Sequence, residues 1–145
     1  MSTTRGLRNN NPLNIRRSSS RWLGEVDAIN GRRDTTFCQF SDLQYGYRAA
    51  AKLLRTYQTK YGCRTPEQII SHWAPPHENS TKAYIAQVTE QMTRQGGQRI
   101  TATSPISLHD TDTLRLLIIA MHRVENGQAP SSQAINDLNN ALALI

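Results

Sequence analysis

One carboxylate falls where carboxylates are rare. Leu114, Leu117, Ile118 and Met121 step along one face of an expected helix, and Glu125 continues that face. Acids normally avoid such a buried stripe. Glu125 also belongs to the last helical turn, just before Asn126-Gly127, where Gly127 can supply a left-handed stop. A helix C-terminus carries partial negative charge, and burial penalises an ion, so both should raise the Glu125 pKa. A protonated carboxyl beside a sugar-binding groove is what general-acid cleavage of a glycosidic bond requires. Alternatively Glu125 pairs with Arg16 or Arg48 and braces the fold. His122, one turn earlier, either tunes Glu125 or is an ordinary helix-end histidine.

A second group lies mid-chain. Trp73-Ala74-Pro75-Pro76-His77-Glu78-Asn79 places an aromatic, a rigid double proline and polar groups at a helix break. Rigid loops of this kind often carry binding residues. Trp73 can stack on a sugar face, and Glu78 with Asn79 can bond hydroxyls or amides. The plainer alternative makes Trp73 core and Asn79 a helix cap.

These residues need a scaffold. Residues 1–20 are polar, with loop signals at Asn9-Asn10-Asn11-Pro12 and Ser18-Ser19-Ser20. Between Trp22 and Phe40, the Asn30-Gly31 pair and the Thr35–Phe40 segment predict a small β-hairpin. Ser41 and Gln44 form a capping-box pattern. From there Leu43, Tyr47, Ala50, Leu54, Tyr57 and Tyr61 mark one face of a long helix ended by Gly62. Thr65, Pro66 and Gln68 open a second helix, which stops before Pro75. A third starts near Asn79 or Ser80 and ends at Gly96-Gly97, a fourth covers about Asp110 to Asn126, and a last one about Ser132 to Leu144. The expected fold is mainly α, in one domain over residues 1–145.

Composition narrows the partners. The chain has 145 residues and a net charge of +6, with the arginines clustered in the first third. That favours a polyanion: nucleic acid, an anionic membrane or an anionic polymer such as peptidoglycan. The usual nucleic-acid motifs are missing from the sequence. The longest apolar run, Leu116 to Met121, is far short of the roughly 20 residues a membrane span needs, so no membrane insertion is expected. No apolar stretch follows the first residues, which predicts synthesis in the cytoplasm without a signal peptide. Cys38 and Cys63 could form one disulfide or stay as buried thiols, no spacing suggests a metal site, and no cofactor is expected.

Four blocks carry a resemblance. Gly6-Leu7-Arg8-Asn9-Asn10-Asn11-Pro12-Leu13-Asn14-Ile15-Arg16 resembles the opening of a family found in phage virion proteins and cell-wall-targeting toxins. Phe37-x-x-Phe40 followed by Gly46-Tyr47-Arg48-Ala49 is similar to its next block. Trp73-Ala74-Pro75-Pro76-x-Glu78-Asn79-x-Thr81-x-x-Tyr84 is similar to a third, the most specific, and Glu125-Asn126-Gly127 to a fourth. The block order also resembles lysozyme-like proteins, including lytic transglycosylases. There the helix ending in the catalytic Glu precedes the block resembling Asn14-Ile15-Arg16. Here it follows, near the C-terminus, as in a circular permutation.

The resemblance implies a permuted lysozyme-like domain that degrades peptidoglycan. Glu125 would be the acid, and Asn11, Asn14, Arg16, Phe40, Trp73, Glu78, Asn79 and Tyr84 would hold the glycan. Glu125 should then face Asn14 and the Phe37–Phe40 segment. Relatives delivered by type VI secretion imply another route, peptide cleavage with Cys38 as nucleophile and His122 as base. A non-catalytic wall-binding or virion module is a further alternative. The protein would act in the periplasm or cell wall of a target bacterium, delivered by a phage tail or secretion system. A toxin would need an immunity protein.

Overall fold

The computed structural model describes residues 3–74 and 78–145, except the side chains of residues 78 and 79. Six helices occur among them: α1 (Arg5–Arg8), α2 (Leu43–Tyr61), α3 (Pro66–Trp73), α4 (Glu78–Gly96), α5 (Thr111–Asn126) and α6 (Ser132–Ala143). The protein is mainly helical, as its apolar periodicity predicts.

The helix ends follow from local chemistry. Thr65 caps α3 by accepting from the Gln68 N–H, and Pro66 takes the first position. Gly62 and Gly127 close α2 and α5 in left-handed conformations, at φ 67° and 72°. The cap of α2 is Asp42, not Ser41. The Ser41 N–H bonds the Gly24 carbonyl at 2.9 Å, which fixes Ser41 outside the helix, and the Asp42 carboxylate accepts from Gln44 N–H at 3.0 Å. The short α1 stands in a stretch that reads as turn, held by the Thr4 cap.

The core is built from the inward faces of α2, α4, α5 and α6. Tyr47, Leu54, Met92, Leu117, Ile118, Met121 and Leu138 are almost fully buried. Each such side chain contributes about 1.5–3 kcal/mol through burial. α2 packs on α6, and α4 on α5. The start of α2 lies so close to the 9–12 loop that a Cβ at Gly46 would fall well inside the 3.0 Å limit against the Asn10 carbonyl oxygen. That close approach explains the glycine in Gly46-Tyr47-Arg48.

The expected hairpin is replaced by two isolated antiparallel bridges, Arg16↔Phe37 and Glu25↔Phe40. Asp34 is the reason. Its carboxylate accepts from the N–H groups of Thr36 and Phe37, from Asn9 Nδ2 and from the Arg5 guanidinium. These bonds bend the chain, so residues 36–38 pair with 15–17 while 39–41 pair with 24–26. Alternation survives: Cys38 and Phe40 are both 1% exposed, whereas Phe37 turns outward beneath the guanidinium groups of Arg5 and Arg16.

Candidate functional site

The site begins with two backbone oddities. Asn10 and Asn14 adopt left-handed conformations, with φ of 52° and 55°, which asparagine tolerates better than most residues. Between them Asn11 is fully buried. Its Nδ2 donates to the carbonyls of Ile15 and Cys38, and its Oδ1 accepts from the Ile15 N–H. This knot turns the chain so that Asn14 points at the end of α5.

There Asn14 Nδ2 donates to Glu125 Oε1 at 2.8 Å, and Tyr84 Oη–H donates to Glu125 Oε2 at 3.0 Å. Three blocks of sequence thus converge on one carboxyl. Burial raises the Glu125 pKa, and the bonds from Asn14 and Tyr84 oppose it without cancelling it. Among the described residues no ion pair reaches Glu125, so it does not brace the fold through Arg16 or Arg48. Tyr84 is 8% exposed, and its phenol is pushed well above its ordinary value by burial and then by the Glu125 charge. It is a neutral donor.

The neighbouring residue ties this arrangement down. Asn126 Nδ2 donates to the carbonyls of Pro12 (2.8 Å) and His122 (3.0 Å), and Thr4 Oγ1 donates to Asn126 Oδ1 at 2.6 Å. The end of α5 is thereby clipped to the loop that carries Asn14. Gly6 lies beneath, where a Cβ would come within 2.8 Å of the Asn11 carbonyl oxygen and 2.9 Å of Asn14 Oδ1.

Asn14 also borders a cleft of about 540 Å³, lined by Arg16, Trp22, Tyr57, Lys60, Tyr61, His72 and Trp73 among others. Tyr57 meets His72 edge-on at 4.3 Å and Trp73 at 5.8 Å, and the His72 ring lies 4.8 Å from Tyr61. These rings form a broad aromatic wall, next to the residue that holds the acid.

With this geometry in place, comparison with known proteins is informative. The chain is 40% identical over 129 residues to Protein P5 of Pseudoalteromonas phage PM2, an alignment covering 87% of this chain and 73% of that protein. The chain belongs to the Protein P5 family. No family profile matches it.

Within this P5-family chain, the structure brings Glu125, Asn14 and Tyr84 together and puts Arg16 and Trp73 in the adjoining cleft. Other expected residues have different work. Asn11 and Phe40 are buried, at 0% and 1% exposure, so neither can touch a glycan; Asn11 shapes the loop and Phe40 fills the core. The Cys38–His122 pair is not assembled either. The Cys38 thiol is buried and donates to the Arg16 carbonyl at 3.7 Å, and burial followed by the Glu25 charge pushes its pKa up to about 12. The His122 ring is also buried, bonded through Nδ1 to Tyr47 Oη at 2.8 Å, and burial drops its pKa to about 4. Each is a structural group in its own pocket, and both cysteines are free thiols. Pro75–His77, and the side chains of Glu78 and Asn79, lie outside the described residues.

Sequence reasoning missed the Trp22, Tyr57, Tyr61 and His72 wall and the Asn126 clip. A usable signal was present for the first: Tyr57 and Tyr61 continue the α2 stripe beyond its last aliphatic residue, and Tyr61 is 53% exposed.

Proposed function

We propose that this protein is a phage-type lytic enzyme that cleaves the glycan strand of peptidoglycan, with Glu125 as general acid. The carrying observation is a carboxyl raised in pKa by burial and oriented by Tyr84 and by Asn14, a residue that itself borders an aromatic cleft. In its protonated form Glu125 would deliver a proton to the leaving glycosidic oxygen. Asn14 and Tyr84 would aim that carboxyl, while Trp73 and Arg16 contact the substrate. Because no carboxylate among the described residues lines the cleft, attack would come from the substrate's own hydroxyl, whose proton the newly ionised Glu125 would take up, or from its acetamido group, as in a transglycosylase.

Two further observations support the reading. The acid-bearing end of α5 meets the Asn14 segment across 111 residues of sequence, which suits a circularly permuted lysozyme-like fold. The net charge of +6 suits an anionic wall polymer. Among the described residues no helix is long and apolar enough to cross a membrane. The place of action would be the wall of a target bacterium after delivery, and membership of a phage protein's family favours a phage origin over a secretion machine and its immunity partner.

Digestion of purified sacculi followed by mass spectrometry of the released fragments tests this. Wild-type protein should release fragments with anhydro or reducing sugar ends, and Glu125→Gln should release none. New amino groups would overturn the glycan reading in favour of peptide cleavage. Binding without release would make the protein a wall-binding module.

A further inference from the structure

The cleft bordered by Asn14, the partner of Glu125, is aromatic, and it is also one-signed. Among the described residues its charged lining consists of Arg16 and Lys60, with His72 also in the wall and no Asp or Glu. Among the described residues no salt bridge engages Arg16 or Lys60. Each rests over a ring instead, Arg16 at 5.2 Å from the Phe37 centroid and Lys60 at 5.4 Å from that of Tyr61. A neutral oligosaccharide would use the rings and leave both cations idle. A ligand with ring faces and carboxylates would use all of them.

We infer that this cleft is built for an acidic sugar, a muramyl unit still carrying its stem peptide. The sugar faces lie on Trp73, Tyr57 and Trp22, and the carboxylates of the stem peptide reach Lys60 and Arg16. Lys60 and Arg16 then act as specificity residues that discriminate peptide-bearing wall from neutral glycan. The inference rests on the proposed wall-degrading function and specifies which part of the wall is held.

Calorimetric titration of the Glu125→Gln protein tests it, with three probes: a disaccharide-tetrapeptide from peptidoglycan, neutral chitotetraose and oligothymidylate. The disaccharide-peptide should bind more tightly than chitotetraose, and added salt should narrow the difference. Lys60→Gln should weaken the disaccharide-peptide about two- to fivefold, the range an exposed charge pair supports, and leave chitotetraose unchanged. Arg16→Gln should weaken the disaccharide-peptide by a similar factor and more than it weakens chitotetraose, and the double charge reversal Arg16→Glu/Lys60→Glu should lose about tenfold or more on the disaccharide-peptide. Equal affinity for the two sugars, equal losses on both, or tighter binding of oligothymidylate would overturn the inference. The two readings fail separately. If wild-type protein digests sacculi but binding ignores the carboxylates, only this inference falls. If charge-selective binding holds but sacculi stay intact, only the catalytic reading falls.

Discussion

Replacing Tyr84 by Phe isolates one of the opposing influences on the candidate acid. The ring stays in the core, at 8% exposure in the parent, and only the hydroxyl that donates to Glu125 Oε2 at 3.0 Å is lost. That bond favours the ionised carboxyl, whereas burial favours the protonated one and outweighs it. Without the bond, burial has one opponent fewer, and the Glu125 pKa rises further. A hydrogen bond to an ionised group is worth about 1.5–3 kcal/mol, and the protonated carboxyl keeps part of it. A difference of about 1.4 kcal/mol remains, equivalent to about one pH unit. In its proposed role as general acid Glu125 would work only while protonated, so the descending limb of kcat/KM on solubilised glycan should move to higher pH by about one unit. Carbon-13 NMR of the Glu125 carboxyl, followed through the same pH range, should show the same displacement. If the variant stays folded and the limb holds still or moves to lower pH, Tyr84 does not stabilise the ionised acid and the reasoning fails.

Other perturbations follow from the same geometry. Gly46→Ala places a methyl group against the Asn10 carbonyl, forcing α2 and the 9–12 loop apart; urea denaturation should show a loss of about 2–4 kcal/mol, with activity falling as Asn14 is displaced. Glu125→Gln should stabilise the fold at neutral pH. The folded-state pKa is raised, so the stabilising contribution of the protonated acid is fully present below the unfolded value and lost as pH rises through the folded one. Thermal melts should therefore show the variant ahead at about pH 7, with its lead gone below the ordinary glutamate value of 4.5. Cys38→Ala should keep glycan cleavage intact at a stability cost of about 1 kcal/mol. With its pKa at about 12 the native thiol should react with iodoacetamide far more slowly than in denatured chain, and rapid labelling with loss of activity would restore it as a nucleophile.

Much of the helical frame was legible because helices advertise themselves locally. The α2 stripe, the Thr65-Pro66 start and the Gly127 stop are patterns a few residues long. Glu125 was legible for the same reason, as an acid that breaks the polarity rule of its own helix. The rest depends on contacts distant in sequence. Nothing local announces that Asp34 gathers Arg5, Asn9 and two backbone N–H groups, and that gathering removes the hairpin. Asn11 and Asn14 look alike in sequence, three positions apart. Only the left-handed turn at Asn14 separates the residue that meets Glu125 from the one that bonds the loop. Cys38 and His122 invited pairing on residue type alone, yet the fold gives each a different partner, Arg16 and Tyr47.

The clip between the end of α5 and the opening loop also governs when the site can exist. Asn14 and Glu125 are separated by 111 residues and Thr4 and Asn126 by 122. Bringing ends so distant together costs about 4 kcal/mol in chain entropy, recovered only once the intervening helices have packed. A nascent chain lacking α5 holds Asn14 and Tyr84 with nothing to orient, and a chain whose core has not formed leaves Glu125 in water with an ordinary acidity. The Glu125 site therefore forms only once α5 has docked on the opening loop. On the proposed reading, a cell making this protein would hold an incomplete site until that docking is done.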